Sequence, residues 1–237
     1  MFRKISIMDS TKIAVVGDIH EHEEQFDKLV DLWKPGSQRL IVFVGDIYDK
    51  GYGFGVAESI TFKIKKLIDN GFAYTVKGNH ELKHIYTSRR DGLALSSGLK
   101  YFASQPLALS FQFNNKTTLL VVHAGVAPYH KLNDLGYTVE TSYIRYLNKN
   151  NRMINLKKQD GEYVLPAGCK LWHKVYDGRF GYIASGHLAQ SDGMPKFYNY
   201  SCNLDSGVFR TGKLVAQVFG SKGRENLLEV SGPSYVK

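Results

Sequence analysis

Val42-Phe43-Val44-Gly45-Asp46-Ile47-Tyr48-Asp49-Lys50-Gly51 is the stretch that decides how the chain is read. Leu40 to Val44 is an apolar run of strand length and predicts a buried strand. It stops at Gly45, and two carboxylates, Asp46 and Asp49, follow at once. Carboxylates at the strand ends of an open α/β sheet lie on the rim where ligands bind. Working outward, four more predicted strands finish the same way. Lys12–Val16 runs into Gly17-Asp18-Ile19-His20, and Phe72–Val76 into Gly78-Asn79-His80-Glu81. Thr117–Val122 ends in His123-Ala124-Gly125, and Phe180–Ala184 in Ser185-Gly186-His187.

Between these ends the period changes to helical. Phe26, Leu29, Val30 and Trp33 give Glu21–Trp33 an apolar face, and Val56–Ile68 is a second amphipathic helix closed by Asn70-Gly71. A third helix is expected from Glu81. Strand and helix in alternation predict a parallel sheet with right-handed crossovers. Leu107–Phe113 and Thr117–Val122 then read as a β-hairpin. Lys196–Tyr200, Ser201–Leu204 and Lys213–Phe219 read as closing antiparallel strands, with Asn226–Val230 as one more. Residues 127–179 show no clean period. They read as an irregular insert lying over the site of a single domain that spans 1–237.

Hydrophobic residues make up 43% of the 237, enough for a sizeable core, which excludes a disordered chain. The two cysteines, Cys169 and Cys202, form no metal-type pair and no disulfide framework, so a reducing compartment is expected. No signal-peptide core and no run of about 18 uncharged residues is present, so the expectation is a soluble, cytoplasmic protein that does not enter a membrane. The formal charge of +9 favours anionic partners, weakly, because the lysines are scattered.

The residues at the strand ends are carboxylate, imidazole and amide, without thiolate. Such donors suit Mn, Fe, Zn or Co and argue against Cu(I) or iron–sulfur chemistry. Asp18 and His20 can chelate one ion, Asp46 can bridge to a second, and Asn79, His123 and His187 can fill the second ion's shell. Two ions about 3.5–4 Å apart activate water and clamp the oxygens of a phosphoryl transfer.

These five motifs, in this order, resemble the calcineurin-like metallophosphoesterase superfamily, and within it the phosphoprotein-phosphatase type: bacterial and phage serine/threonine phosphatases and symmetrical diadenosine-tetraphosphate hydrolases. The resemblance runs from about Lys12 to about Phe219, with Asn203-Leu204-Asp205-Ser206-Gly207 similar to the family's closing strand motif. It implies an α/β sandwich of two mixed sheets flanked by helices. It implies two divalent metals, manganese foremost, held by Asp18, His20, Asp46, Asn79, His123 and His187. It further implies in-line attack of a metal-bridging hydroxide, with His80 as general acid and Asp49 as its carboxylate partner.

The implied activity is phosphoric-ester hydrolysis. A serine/threonine-type protein phosphatase is the first reading, and a dinucleoside-polyphosphate hydrolase or a nucleic-acid end-processing phosphatase or phosphodiesterase is the alternative. An inactive binding scaffold is the weakest. The partners are accordingly a phosphorylated protein or a nucleotide or nucleic-acid substrate.

The chain departs from the family at several places. Glu21 follows His20 where glycine is usual and reads as an acid at a helix N-terminus. Lys50 and Lys174 stand where the family has phosphate-binding arginines. Lysine binds phosphate as a point charge and lacks the bidentate fork. Arg179 or Arg89-Arg90 could substitute. Leu188 replaces a threonine without evident effect, and His173 reads as a bystander.

Overall fold

In a computed structural model the structure describes residues 2–154, 157–159 and 162–235, so insert residues 155–156 and 160–161 and the two chain ends lie outside it. Lys12–Val16 (β2), Arg39–Phe43 (β3) and Ala73–Thr75 (β4) pair in parallel, as the strand–helix alternation predicts. Lys213–Gly220 adds antiparallel to β2, and Gly223–Ser231 adds antiparallel to it in turn, so the first sheet is mixed. The second sheet is also mixed. Its order is Phe2–Ile7 (β1), Ala108–Phe113 (β5), Thr118–Val122 (β6), Tyr182–Ser185, Ser201–Asn203 and Lys196–Phe197.

Period-2 alternation sorts the strand residues between two faces. Ile13, Val15, Leu40, Val42 and Val44 point at Leu109, Phe111, Leu119, Val121 and Ala184 of the second sheet and form the inter-sheet core. Ala14, Val16, Ile41 and Phe43 point the other way, onto helices Glu23–Trp33 (α1), Phe54–Asp69 (α2) and Ser97–Ser104 (α4). The outer face of the second sheet, Ala108, Leu120, Val122 and Ile183, is covered differently. Leu135, Ile144, Leu147 and Trp172 of the insert pack there. Helices therefore flank one sheet, and the insert takes the place of the helical layer over the other.

Three features differ from the sequence reading. The mixed polar N-terminus forms β1, paired in parallel with β5. Ser97–Ser104 is helical, started by the Ser96 side chain, which accepts from Leu99 N. Ser201–Asn203 runs parallel to Tyr182–Ser185 and antiparallel only to Lys196–Phe197. Among the described residues no helix is long and apolar enough to cross a membrane.

Candidate active site

The strand ends of both sheets meet along one rim, and their loops adopt unusual backbone. His20, Glu21, Asp46, Asp49, Lys50 and His187 all have φ between 46° and 73°. Non-glycine residues held in this left-handed region cost of order 1–3 kcal/mol each and persist only where the surroundings fix them. Asp18 accepts from His187 N at 3.1 Å, and two buried glutamates fix the Asp46–Gly53 loop. Glu81, at the start of helix Asn79–Arg90 (α3), accepts from the backbone N–H groups of Asp46 (2.9 Å), Ile47 (2.7 Å) and Gly78 (2.7 Å). Glu21 accepts from Asp49 N (2.9 Å), Gly51 N (3.1 Å) and Gly53 N (2.8 Å). Glu21 is thus a buried anchor of the Asp46–Gly53 loop, and helix α1 begins only at Glu23. The reading of Glu21 as a helix-terminal acid is corrected by these bonds. Gly78 and Gly186 allow the close approaches: a Cβ at either would lie 2.1 Å from Asp46 Oδ1 or 1.9 Å from Asp18 Oδ1.

Two clusters of ligand atoms converge here and share one residue. His20, Asp46 and His80 form one, and Asp46, His123 and His187 form the other. Asp18 flanks the first, with Oδ2 3.8 Å from His20 Nε2. Asn79 joins the second, with Oδ1 2.9 Å from His123 Nε2. His123 Nδ1 donates to Val44 O (2.8 Å) and His20 Nδ1 to Tyr48 O (3.1 Å). Each backbone carbonyl takes the Nδ1 proton and turns Nε2 toward the carboxylates, the usual orientation of a metal-ligating imidazole. His187 Nδ1 lies 3.2 Å from His123 Nε2.

The electrostatics are those of a concentrated negative site. Burial alone would raise Asp46, but His123, His80 and His20 outweigh it and hold its carboxyl well below the usual range. Burial would lower His123, yet the carboxylates of Asp46, Asp18 and Glu81 together outweigh it and lift it to about 9. Burial and then Lys50 push His20 down to about 3. Asp18 is raised by burial and by the neighbouring Asp205 carboxylate. Asp205 comes from the Asn203–Gly207 motif, is buried, and has an Oδ2 without a hydrogen-bond partner among the described residues. An orphaned carboxylate oxygen among convergent acceptors, with hard and borderline donors only, fits divalent cations.

His80 stands beside the shared carboxylate. Its Nδ1 lies 2.6 Å from Asp49 Oδ2, and its Nε2 lies 3.8 Å from Asp46 Oδ2. Lys50 Nζ lies 3.2 Å from His20 Nε2 and 5.0 Å from the Phe209 ring centroid. Lys174 is not brought to the cluster. It is exposed on the 3-10 turn Trp172–Lys174, and its side chain makes no hydrogen bond or ion pair with a described residue. Arg145 is, with Nε donating to His187 Nε2 at 2.9 Å. Sequence reasoning missed Arg145, Asp205 and His84, whose Nε2 lies 2.8 Å from Asp49 Oδ1. Only Asp205 carried a signal, by lying inside a recognised motif.

The family profile described as calcineurin-like phosphoesterase matches residues 11–191, which include every ligand of both clusters. The chain belongs to the calcineurin-like phosphoesterase family. It is a metallophosphoesterase, and the family implies divalent metal ions. Among curated relatives, it is 26% identical over 230 residues to the bis(5'-nucleosyl)-tetraphosphatase PrpE [asymmetrical] of Bacillus thuringiensis (strain Al Hakam), covering 86% of this chain and 89% of the relative. The protein of the same name from Bacillus cereus (strain AH187) is 26% identical over 228 residues, 86% and 88% of the two chains. Among solved structures, a "putative diadenosine tetraphosphatase" superposes with TM-score 0.70 at 22% identity, over 97% of this chain and 98% of that one. A serine/threonine phosphatase from Saccharomyces cerevisiae with similarity to human phosphatase PP5 superposes with TM-score 0.57 at 17% identity, over 98% and 84%. At those identities the two structures speak for the metallophosphoesterase fold.

Proposed function

We propose that this metallophosphoesterase hydrolyses phosphoric esters and anhydrides with two divalent cations, manganese first among those its ligands accept. The reading is carried by one observation: two ligand clusters share Asp46, and His80, a member of the first, is held through Nδ1 by Asp49. Asp18 and His20 would hold one cation, Asp46 both, and Asn79, His123 and His187 the other. Such a pair supplies an activated water at neutral pH and charge neutralisation of the phosphoryl oxygens.

The chain's own groups do the rest. Asp49 orients His80 so that Nε2 carries a proton toward the leaving oxygen. Lys50, beside His20, and Arg145, beside His187, each flank one cluster and grip the phosphoryl group. Arg145 takes the part that the sequence reading gave to Lys174, and with it the bidentate fork returns.

For the substrate we place dinucleoside polyphosphates first and phosphoserine or phosphothreonine proteins second, reversing the order read from sequence. Relatives that match over most of both chains carry the tetraphosphatase name, and the basic charge suits a polyanion. We further propose one catalytic domain over 1–237, with 127–179 as its insert, working in the cytoplasm.

Rates on diadenosine tetraphosphate, a phosphoserine peptide and a 5'-phosphorylated oligonucleotide, each with Mn²⁺, test the order. The dinucleotide is expected to have the highest kcat/KM. A faster phosphopeptide restores the protein-phosphatase reading, and a metal-loaded protein inert on all three contradicts the enzyme reading altogether.

A further inference from the structure

Asp49 holds a second histidine that the proposed chemistry leaves unused. Helix α3 carries His80 and His84 one turn apart, a spacing that puts both side chains on one face. Both rings reach the same carboxylate. His80 Nδ1 lies 2.6 Å from Asp49 Oδ2, and His84 Nε2 lies 2.8 Å from Asp49 Oδ1. An ionised carboxylate only accepts, so each imidazole nitrogen is an N–H donor. Burial would raise Asp49, but the bonds from His80, His84 and Lys83 outweigh it and hold its carboxyl far below the ordinary range.

His84 is itself held. Its ring packs against Tyr48 and Phe54, with centroids 5.8 and 6.0 Å away, and the buried Tyr48 donates to Glu58 at 2.6 Å. The backbone of Asp49 is fixed too, since its N–H bonds Glu21. What remains soft is the rotation of the carboxylate about its terminal torsion, which is broad for aspartate. His84 closes that freedom by occupying Oδ1. Lys83, exposed and 3.1 Å from Oδ2, adds only a surface bond of small worth.

We infer that His84 is a positioning residue of the proposed reaction, keeping Asp49 Oδ2 on His80 Nδ1 and thereby His80 Nε2 aimed at the leaving oxygen. The inference rests on the two-cation reading above. In that step the oxygen of water bonds to phosphorus, and the bond from phosphorus to the leaving oxygen breaks with its electron pair on that oxygen. The leaving oxygen takes the proton from His80 Nε2, and the proton released by the water restores His80. His84 touches none of these atoms and acts only through Asp49.

A positioning role for a general acid has a signature that a merely structural role lacks: it matters more as the leaving group becomes more basic. Phenyl phosphate and p-nitrophenyl phosphate, hydrolysed by the Mn²⁺-loaded protein, provide the two leaving groups. His84→Leu keeps the apolar packing on Tyr48 and Phe54 but removes the donor. It is expected to lower kcat on phenyl phosphate by about tenfold or more and on p-nitrophenyl phosphate by at most about twofold, with KM and Mn²⁺ stoichiometry unchanged. His84→Gln, whose amide N–H can replace Nε2–H, is expected to recover the phenyl phosphate rate to within about threefold. Equal losses on both esters, no loss on either, or a glutamine variant as impaired as the leucine variant would overturn the inference. A wild type inert on both esters instead refutes hydrolysis of aryl phosphomonoesters and leaves the enzyme reading to the three-substrate panel. In that event ¹⁵N-edited NMR of the His80 ring N–H decides for His84 alone. Exchange protection lost in His84→Leu upholds the positioning, and protection unchanged refutes it.

Discussion

The two cationic flanks of the site are built by opposite means. Lys50 sits on the loop after β3, which buried glutamates hold through its backbone N–H groups: Glu81 at Asp46 and Ile47, Glu21 at Asp49, Gly51 and Gly53. Arg145 sits on the insert, where aromatic packing does the holding. Trp172 N donates to Arg145 O, and Trp172, His173 and Tyr198 form a continuous ring stack at centroid distances of 3.9 and 4.4 Å. One flank is fixed by ionic hydrogen bonds in a strained loop, the other by apolar stacking beside a short strand. Charge removal should therefore damage the first flank, and acid the second.

The largest effect is expected on the first flank. Glu81→Gln places an amide N–H₂ among backbone N–H donors and leaves at least one of them unpaired in a buried setting. A loss of about 2–4 kcal/mol in urea unfolding is expected, with metal binding weakened because Asp46 loses its backbone support. A variant of wild-type stability would mean that the loop holds its shape without Glu81, and the contrast between the flanks would fall. Next come the cations themselves. Arg145→Ala is expected to lower kcat/KM by about a hundredfold, Lys50→Ala by about tenfold, since a guanidinium can make two charge-assisted bonds where an ammonium makes one point contact. Neither change should alter unfolding by more than about 0.5 kcal/mol, as both side chains lie outside the core. Equal losses would show that the fork of Arg145 is not used.

The smallest effect sharpens the second flank. His173 is buried, bonds Ser201 Oγ through Nδ1 at 2.9 Å, and is pushed by burial down to about 3. Its pKa is depressed on folding, so below about 6.5 the unfolded chain binds a proton that the folded chain refuses. The stability it contributes is present above pH 6.5 and declines as pH falls toward 3. Between pH 6 and 5, the stability difference between wild type and His173→Phe should shift by about 1 kcal/mol in favour of the variant. A difference that stays constant with pH would place the ring in contact with solvent.

The same contrast explains what could be read in advance. The Lys50 flank was legible because each ligand follows its own strand at a fixed short distance: apolar run, glycine, acid or imidazole. The parallel order of β2, β3 and β4 followed from strand–helix alternation, and the sandwich of mixed sheets from the family resemblance. Arg145 was not legible, because its partner His187 lies 42 residues away and the insert has no period to align them. Lys174 looked right by its spacing from Trp172 alone, but that turn leaves it exposed. Glu21 was misread because its three partners lie in another loop, 28 to 32 residues on. Strand β1 escaped notice because an edge strand with alternating exposure lacks the apolar run that marks the buried ones. The placement of the ten residues assigned from sequence to metals, proton and phosphate follows this rule. Those on strand ends converge, and the one on the insert does not.

The central claim is that Asp46 joins two cation sites and that His80 acts beside them without holding either. Mn²⁺ titration and turnover of His80→Asn, compared with wild type, test it most directly. Two Mn²⁺ per chain in both proteins, with kcat lower by about 10²–10⁴ in the variant, is the result the proposed reaction predicts. A variant that binds one Mn²⁺ would make His80 a ligand, and one that turns over at the wild-type rate would remove it from the reaction.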